Sequence, residues 1–459
     1  MTRVRPGSAA AARRKGEAAI SQVIFGLNPI LVAGLILLTT YVLVMADRFD
    51  RSIIALLGGG AMILSGVLDQ AEAVRGIDFN TLALLTGMMV LVSIARRSGI
   101  FEFLAIWSAQ RAKASPAGIL CLLALVTAVI SALLDNVTTV LLVAPVTLGI
   151  AARLRVPPFP FLFAEVMASN IGGTATLVGD PPNIMIGSAA GLSFNDFLVH
   201  LLPIVVVVLA AQTFAVHLLW GRRLAAEAAA RAAVMAMQAA AAITDRRLLG
   251  QSLAVFAVVL VLFVLARPLG LEAGTIALVG AAALMLLDNL AHHREQQSVN
   301  IAATYGDIDW ITIFFFTGLF ITVHGLEVTG TLRIAARYLV EVAGGNLTVA
   351  VFAVLWASAI LSAIIDNIPF VAAMIPLIKA IAPGLGGEAA LLPLWCALSL
   401  GACLGGNGTL IGASANLTVA GIAQKNGVAF GFGAYSRYAA PLAAGSILIC
   451  QLYLWLRYL

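Results

Sequence analysis

Of the 459 residues in this sequence, 61% are hydrophobic and only 11% are charged, whereas a soluble domain is roughly 45–50% apolar and about 25% charged. A compact globule could not bury that much apolar surface and still cover itself with polar side chains. Soluble enzymes, nucleic-acid-binding proteins and disordered scaffolds are therefore excluded, and the net charge of +5 reflects basic cytoplasmic loops. We expect a multi-pass protein of the lipid bilayer, located in the inner cell membrane.

About 20 mainly apolar residues are needed to cross the hydrocarbon core, and the sequence contains a series of such segments. The first follows a basic N-terminal tail over 1–27, and we interpret it as a span rather than a cleaved export signal. A polar stretch over 221–247 interrupts the series. The predicted helices are 28–45, 52–68, 81–95, 116–134, 138–153, 159–178, 198–220, 248–265, 273–287, 310–325, 347–365, 368–382, 391–411 and 439–456.

The two halves of the chain carry the same pattern. SALLDNVTTVLLVAP, from Ser131, matches SAIIDNIPFVAAMIP, from Ser362, and GGTATLVGDPPNI, from Gly172, matches GGNGTLIGASANL, from Gly405. Chance similarity between apolar helices does not keep polar residues in step over such a distance, so we predict a duplication. Its first repeat, linker and second repeat are 28–220, 221–247 and 248–459. Further matched positions are Thr86-Gly87 with Thr317-Gly318, Gly99 with Gly330, and Ala55 with Ala277.

The distribution of Lys and Arg tests the orientation of the repeats. If the linker is cytoplasmic and 116–153 and 347–382 are re-entrant hairpins, each half has five crossings and most basic loop residues lie inside. The basic tail then lies outside and contradicts the rule. An odd number of crossings inserts the two copies in opposite orientations. The predicted fold is therefore all-α, with two inverted repeats of five transmembrane helices, each with a re-entrant hairpin.

Each predicted hairpin has a polar pair at its tip, Asp135-Asn136 in the first and Asp366-Asn367 in the second. An ionisable group in hydrocarbon costs at least about 2.5–3.5 kcal/mol, so such groups often mark functional sites. The alternative is that these residues only cap broken helix ends. Both roles can coexist, because broken helices in transporters hold substrates and ions with their exposed backbone. We expect a direct role for at least one aspartate.

A glycine-rich stretch in each half supplies a second set of polar groups. Its glycines predict tight, unusual backbone angles, and Pro181 and Pro182 cannot continue a helical ladder. Such unwound backbone is tolerated at membrane depth only if it is buried in protein or lines a wet cavity; the alternative is a helix contact without substrate. The glycines are Gly172, Gly173, Gly179, Gly405, Gly406, Gly408 and Gly412. The candidate substrate- or ion-binding residues are Asp135, Asn136, Thr138, Thr174, Thr176, Asp180, Asn183, Asp366, Asn367, Asn407, Thr409, Ser414 and Asn416.

The run NIGGTATLVGDPPNIMIGSAAGLSF, from Asn170, resembles the signature of one branch of the ion transporter superfamily. That branch contains arsenite permeases, the melanosomal P protein and some sodium/proton antiporters. The resemblance covers nearly all of the chain and implies an inverted-repeat elevator fold, often a homodimer, in which each hairpin tip and its facing loop form half of a central site. Association with a separate energising ATPase is left open.

The tips differ from those of dicarboxylate carriers in the same superfamily, which show Ser-Asn-Thr. With Asp135, Asp366 and Asp180 the site would hold three carboxylates, and neither motif contains Lys or Arg. A di- or tricarboxylate would meet like charge, so a neutral hydroxylated solute such as arsenious acid, or a small cation, fits better. A partly desolvated carboxylate can also take up and release a proton during transport.

The leading hypothesis is a secondary transporter, not an enzyme, that extrudes arsenite or antimonite in exchange for protons. A sodium/proton antiporter is the main alternative, followed by a channel or an organic-anion transporter. An intramembrane aspartyl protease is disfavoured because GxGD is absent. We predict neither a cofactor nor a metal site: the four cysteines show no CxxC spacing and are interpreted as packing residues, although Cys403 could bind trivalent arsenic. The cysteines are Cys121, Cys396, Cys403 and Cys450.

Overall fold

The structure is a computed structural model that describes residues 23, 26–46, 48–290, 292–342, 344–385, 387 and 391–459. Within these ranges the chain is helical and has no β-strand. Most of the predicted N-terminal tail lies outside the described residues. The helices of the first half are α1 Pro29–Met45, α2 Arg51–Leu64, α3 Gln70–Gly76, α4 Phe79–Arg96, α5 Ile100–Arg111, α6 Pro116–Leu133, α7 Asn136–Leu154, α8 Phe159–Thr174, α9 Pro181–Ala190, α10 Phe194–His200, α11 Leu202–Val216 and α12 Ala228–Met235.

The second half repeats much of this order. Its helices are α13 Arg246–Leu269, α14 Ala273–Asn289, α15 Arg294–Gly306, α16 Trp310–Thr329, α17 Thr331–Val342, α18 Leu347–Ile364, α19 Asn367–Ile381, α20 Leu391–Gly405, α21 Ser414–Lys425 and α22 Phe432–Tyr458. Ten of the described helical segments are long and apolar enough to cross a membrane. Each predicted span has a counterpart among them or among the shorter apolar helices, except 159–178, which corresponds to the 16-residue helix α8. The prediction of an all-α polytopic membrane protein is confirmed.

Several short helices were not predicted, because a window of span length overlooks them. Among them, α5 and α17 begin at corresponding points of the two repeats. Gly99 and Gly330 immediately precede them with φ values of 81° and 78°, in the left-handed region that glycine adopts without a steric penalty. The matched glycines therefore mark the same chain turn in each half.

Two compact units divide the chain, and each contains segments of both sequence repeats. The first unit comprises Met1–Asp78, Asp309–Gly344 and Pro376–Gly384. The second comprises Phe79–Ile308, Gly345–Ile375 and Leu385–Leu459. Every candidate site residue named above belongs to the second unit.

Equivalent helix pairs occur in the two units. In the first unit α2 packs against α16, where Gly318 lies against the backbone of Ala55. In the second unit α4 packs against α14, and a Cβ on Gly87 would lie 2.6 Å from the carbonyl carbon of Ala277. These are the positions that match between the sequence repeats. Each pair joins one helix from each repeat, which supports the predicted inverted duplication.

The cysteines follow the packing interpretation with one difference. Cys396, Cys403 and Cys450 are buried, whereas Cys121 is half-buried. Its Sγ lies 3.9 Å from Nδ1 of His217, at the π-helical turn that ends α11. The turn places the imidazole of His217 beside α6. The hydropathy pattern could not predict this proximity.

Candidate functional site

Both hairpins break at their polar pairs. Between α6 and α7, Asp135 caps the new helix, and its Oδ1 accepts a hydrogen bond from the backbone N–H of Thr138 at 2.7 Å. Between α18 and α19, Asp366 accepts a hydrogen bond from Oγ of Ser414 at 3.0 Å. Both aspartates are half-buried. The capping interpretation thus holds for Asp135, and it leaves each carboxylate partly accessible at a helix break.

The glycine-rich stretches interrupt their helices as predicted, but the reason for the glycines is different. None of them has a positive φ, so unusual backbone angles do not explain them. A Cβ on Gly172 would instead lie 2.5 Å from Cα of Ala128, and a Cβ on Gly405 would lie 2.5 Å from the carbonyl oxygen of Ala359. Ala128 and Ala359 lie on α6 and α18. The glycines therefore let each broken helix touch the backbone of its hairpin.

Hydroxyl groups fasten each loop to its hairpin in the same way. Oγ1 of Thr176 donates to the carbonyl oxygen of Ala132 at 2.5 Å. Oγ1 of Thr409 donates to the carbonyl oxygen of Ala363, also at 2.5 Å. The two threonines thus occupy equivalent structural positions, and their hydroxyl protons are already engaged by protein.

Asn183 and Asn416 hold the loops from the other side. Nδ2 of Asn183 donates to the carbonyl oxygen of Thr176 at 2.9 Å, and Nδ2 of Asn416 donates to that of Thr409 at 2.8 Å. Oδ1 of Asn183 accepts from Oγ of Ser399 at 2.6 Å. Both asparagines are fully buried. Their amides fix the backbone that surrounds the candidate site.

Asn170 joins the two repeats, although no role was predicted for it. Its Nδ2 donates to Oδ1 of Asn407 and to Oδ1 of Asn416, both at 2.8 Å. Its Oδ1 accepts from Nδ2 of Asn136 at 3.0 Å. All of these side chains are buried. The sequence feature that could have indicated Asn170 is its position as the one amide side chain on an apolar helix, two residues before Gly172-Gly173.

Cys403 occupies the position that corresponds to Asn170 in the second repeat. Its Sγ donates to Oδ1 of Asn183 at 3.7 Å, as Asn170 does to Asn416. The side chain is fully buried. This thiol belongs to the same pseudo-symmetric hydrogen-bond network and does not project into open space.

Thr174 is buried as well, and its Oγ1 donates to the carbonyl oxygen of Asn170 at 2.7 Å.

Asp180 lies where the repeats meet. It is 1% exposed, and its Oδ1 accepts from Nδ2 of Asn367 on the opposite hairpin at 3.5 Å. In the described part of the chain, its Oδ2 has no hydrogen-bond partner. The Cys403 thiol and the carboxylates of Asp366 and Asp135 are close enough to interact with it electrostatically. Burial of an ionised carboxylate without a partner is unfavourable in free energy unless the group binds a proton or lies next to a cation.

Among the described residues, no three His, Cys, Asp or Glu side chains converge as metal ligands would. Asp180 makes no ion pair there either. The unsatisfied oxygen is the chemically distinctive atom of the site.

Replacing Asn170 with Ala should destabilise the protein, because buried partners of its amide then lose their hydrogen bonds. Each orphaned group costs about 1–3 kcal/mol. The matched control is Asn426→Ala, since Asn426 is exposed and its Nδ2 donates only to the carbonyl oxygen of Ile422 in its own helix. We expect a clear drop in the thermal unfolding temperature in detergent for the first variant and almost none for the second. Equal unfolding temperatures would show that the Asn170 network contributes nothing to stability.

The chain is similar to known transporters over most of its length. A family model described as "Citrate transporter" matches residues 41–401. An uncharacterised transporter of Mycobacterium tuberculosis is 44% identical over 431 residues, covering 93% of this chain and 98% of the relative. The P protein of Sus scrofa is 32% identical over 512 residues, covering 92% of this chain and 59% of that protein.

Two solved structures share the fold. The YdaH transporter of Alcanivorax borkumensis has a TM-score of 0.61 at 15% identity and covers 94% of this chain and 99% of its own. MtrF of Neisseria gonorrhoeae has a TM-score of 0.55 at 12% identity, with coverages of 96% and 97%. At these identities the likeness concerns the fold alone. The sequence matches are closer, and on them the chain belongs to the citrate transporter family of the ion transporter superfamily and is a membrane transporter rather than an enzyme.

Proposed function

We propose that this protein is a proton-coupled secondary transporter for a small solute without negative charge. The first candidate is arsenite or antimonite, extruded in exchange for protons. The observation that carries the proposal is the buried Oδ2 of Asp180, which has no hydrogen-bond partner in the described part of the chain. It lies in a site with two further carboxylates, and neither motif contains Lys or Arg.

The charge of the site disfavours an organic acid as the substrate. Citrate would bring further carboxylates against Asp135, Asp180 and Asp366, and like charges at close range cost several kcal/mol. A tricarboxylate could enter only with its charge screened, for example by a bound divalent cation. An uncharged arsenious acid molecule needs no such screening and can exchange hydrogen bonds with carboxylates.

In the proposed cycle, Asp180 binds the proton and the hairpin tips bind the solute. Protonation neutralises Asp180 and permits the closed, buried arrangement that the structure has. Release of the proton on the other side restores the charge and favours opening. Asp135 and Asp366 are assigned to the solute. The remaining candidates are assigned to shaping the site: Asn136, Thr138, Thr174, Thr176, Asn183, Asn367, Asn407, Thr409, Ser414 and Asn416.

Sodium/proton antiport is the second candidate function. The unpartnered Oδ2 of Asp180 favours it as well. Na⁺ binds oxygen ligands, and a carboxylate that alternates between a proton and Na⁺ would couple the two flows. Covalent capture of arsenic by Cys403 is not part of the proposal. That thiol is buried and engaged with Asn183, so Cys403→Ser should retain transport.

The cellular setting is also part of the proposal. We place the protein in the inner membrane, with the linker on the cytoplasmic side. A homodimer and a separate energising ATPase are implied only by the resemblance of the sequence motifs. Both can be tested by purification from membranes under mild detergent.

Uptake into everted membrane vesicles with an imposed pH gradient tests the substrate. The solutes to compare are arsenite, antimonite, Na⁺, citrate, and citrate with Mg²⁺. We expect arsenite and antimonite uptake that collapses with the gradient and does not depend on Na⁺. A response to Na⁺ alone would replace the first candidate by the second. Uptake of citrate alone would overturn the proposal that the site rejects anions.

A further inference from the structure

A second buried carboxyl group lies outside the candidate site. Glu165 on α8 is 0% exposed. Its Oε1 accepts a hydrogen bond from the hydroxyl of Thr147 on α7. Its Oε2 has no partner within the described residues. Like Asp180, this group has one satisfied and one unsatisfied oxygen, both removed from solvent.

The surroundings offer Glu165 no countercharge. Its neighbours along α8, Ala164 and Val166, belong to a buried apolar cluster, as does Ala144, one turn before Thr147. On the helices that pack against α8, no titratable or charged side chain forms a hydrogen bond or ion pair with Glu165, as far as the described residues extend. Those side chains are Cys121 on α6, Arg153 on α7, Cys396 and Cys403 on α20, Lys425 on α21 and, facing α8 from α22, Tyr435 and Tyr438. The charged ones, Arg153 and Lys425, are exposed.

The second repeat has apolar residues at the positions that correspond to Thr147 and Glu165. By the register of the duplication, Thr147 corresponds to Ile378 and Glu165 to Leu398. Both counterparts are fully buried apolar residues. The carboxyl group and its hydroxyl partner are therefore features of the first repeat that the duplication does not share.

Glu165 is placed so that its protonation can follow movement around the site. It shares α8 with Asn170 and Thr174, and Thr147 shares α7 with Asn136. Burial of an unpaired carboxylate is far less favourable than burial of the neutral acid. Loss of the proton therefore requires water to reach this contact, which separation of α7 from α8 would allow.

We propose that Glu165 is a second proton-binding residue, distinct from Asp180, that holds a proton while α7 of the first hairpin packs against α8 and releases it when the two helices separate. Proton binding at Glu165 stands on the geometry alone. Its use in transport rests on the proposed function above. When α7 and α8 are in contact, the Glu165 side chain is a neutral acid that is hydrogen-bonded to Thr147. When the helices separate and water enters between them, Glu165 releases its proton to that water.

Infrared spectroscopy of the purified transporter, titrated without any solute, tests proton binding directly. We expect the wild type to show a carboxylic-acid carbonyl band that is lost on alkalinisation and is missing from Glu165→Gln. Asp180→Asn should retain it. The double variant Thr147→Ile/Glu165→Leu places the apolar residues of the second repeat at both positions and should lack the same band. A Glu165 band that stays constant over the whole pH range in which the protein is folded would overturn the proposal, and so would its absence from the wild type.

Proton flux per transported solute tests the carrier role. Glu165→Gln should move fewer protons per solute than the wild type while solute still crosses. An unchanged ratio would overturn the carrier role even if the infrared titration succeeds. Failure to transport arsenite or Na⁺ would instead count against the proposed function, because the infrared result does not depend on any solute.

Discussion

Replacing Asp180 with Asn is expected to reduce proton-coupled solute flux about tenfold or more, which corresponds to about 1.4 kcal/mol or more. Asn keeps the size and an acceptor for Asn367, but it cannot exchange a proton. Insertion and folding should persist, because Asn is neutral like the protonated Asp180 of the closed arrangement and introduces no buried charge. The measurement is solute flux in vesicles at matched protein content.

Glu102→Gln is the matched control for Asp180→Asn. Glu102 lies on α5 in the same unit and is exposed, so its neutralisation should leave flux at the wild-type level. Asp135→Asn is a second informative variant, because Asn and Asp are comparable N-caps and the helix start is preserved while the charge is lost. Wild-type flux in Asp135→Asn, Asp180→Asn and Asp366→Asn would contradict the assignment of the site to these carboxylates.

Replacing Gly172 with Ala should destabilise the second unit by about 1–3 kcal/mol, the usual effect of overpacking. The new Cβ would meet the backbone of Ala128, and backbone cannot rotate away as a flexible side chain can. Gly405→Ala should behave alike, because its Cβ would meet the backbone of Ala359. The readout is the apparent thermal unfolding temperature in detergent.

Gly149→Ala provides the control. Gly149 lies in α7, and no atom lies within 4 Å of a Cβ built there. Alanine in a helix interior is favoured over glycine by about 0.5–1 kcal/mol, so this variant should be neutral or slightly more stable. If Gly172→Ala unfolds at the same temperature as Gly149→Ala, the close contact between α8 and its hairpin is not a constraint on the fold.

Local patterns in the sequence were sufficient for the spans and the helix breaks. Apolar runs of span length determine the long helices, and the Asp135-Asn136 and Asp366-Asn367 pairs mark the hairpin tips because polar residues are rare in this chain. The helices α5 and α17 were not predicted because their apolar runs are shorter than a membrane span. The division into units depends on contacts between repeats, such as Gly87 with Ala277, which no local pattern reports.

The candidate site was only partly predictable for the same reason. The glycine-rich motif placed Asp180 in the site, but its unpartnered oxygen depends on how the second hairpin presents Asn367. Asn170 and Cys403 acquire their roles only when the duplicated helices lie side by side. The glycine-rich loops illustrate the limit most clearly, since one residue type fits either an unusual φ or a close approach and only packing distinguishes them.

Proton movement driven by solute in proteoliposomes tests the central claim most directly. With a pH-sensitive dye inside and no initial pH gradient, addition of arsenite, or of Na⁺ for the second candidate, should change the internal pH in wild-type vesicles and not in Asp180→Asn vesicles. Wild-type solute flux that produces no proton movement, and is unaffected by a protonophore, would contradict the account.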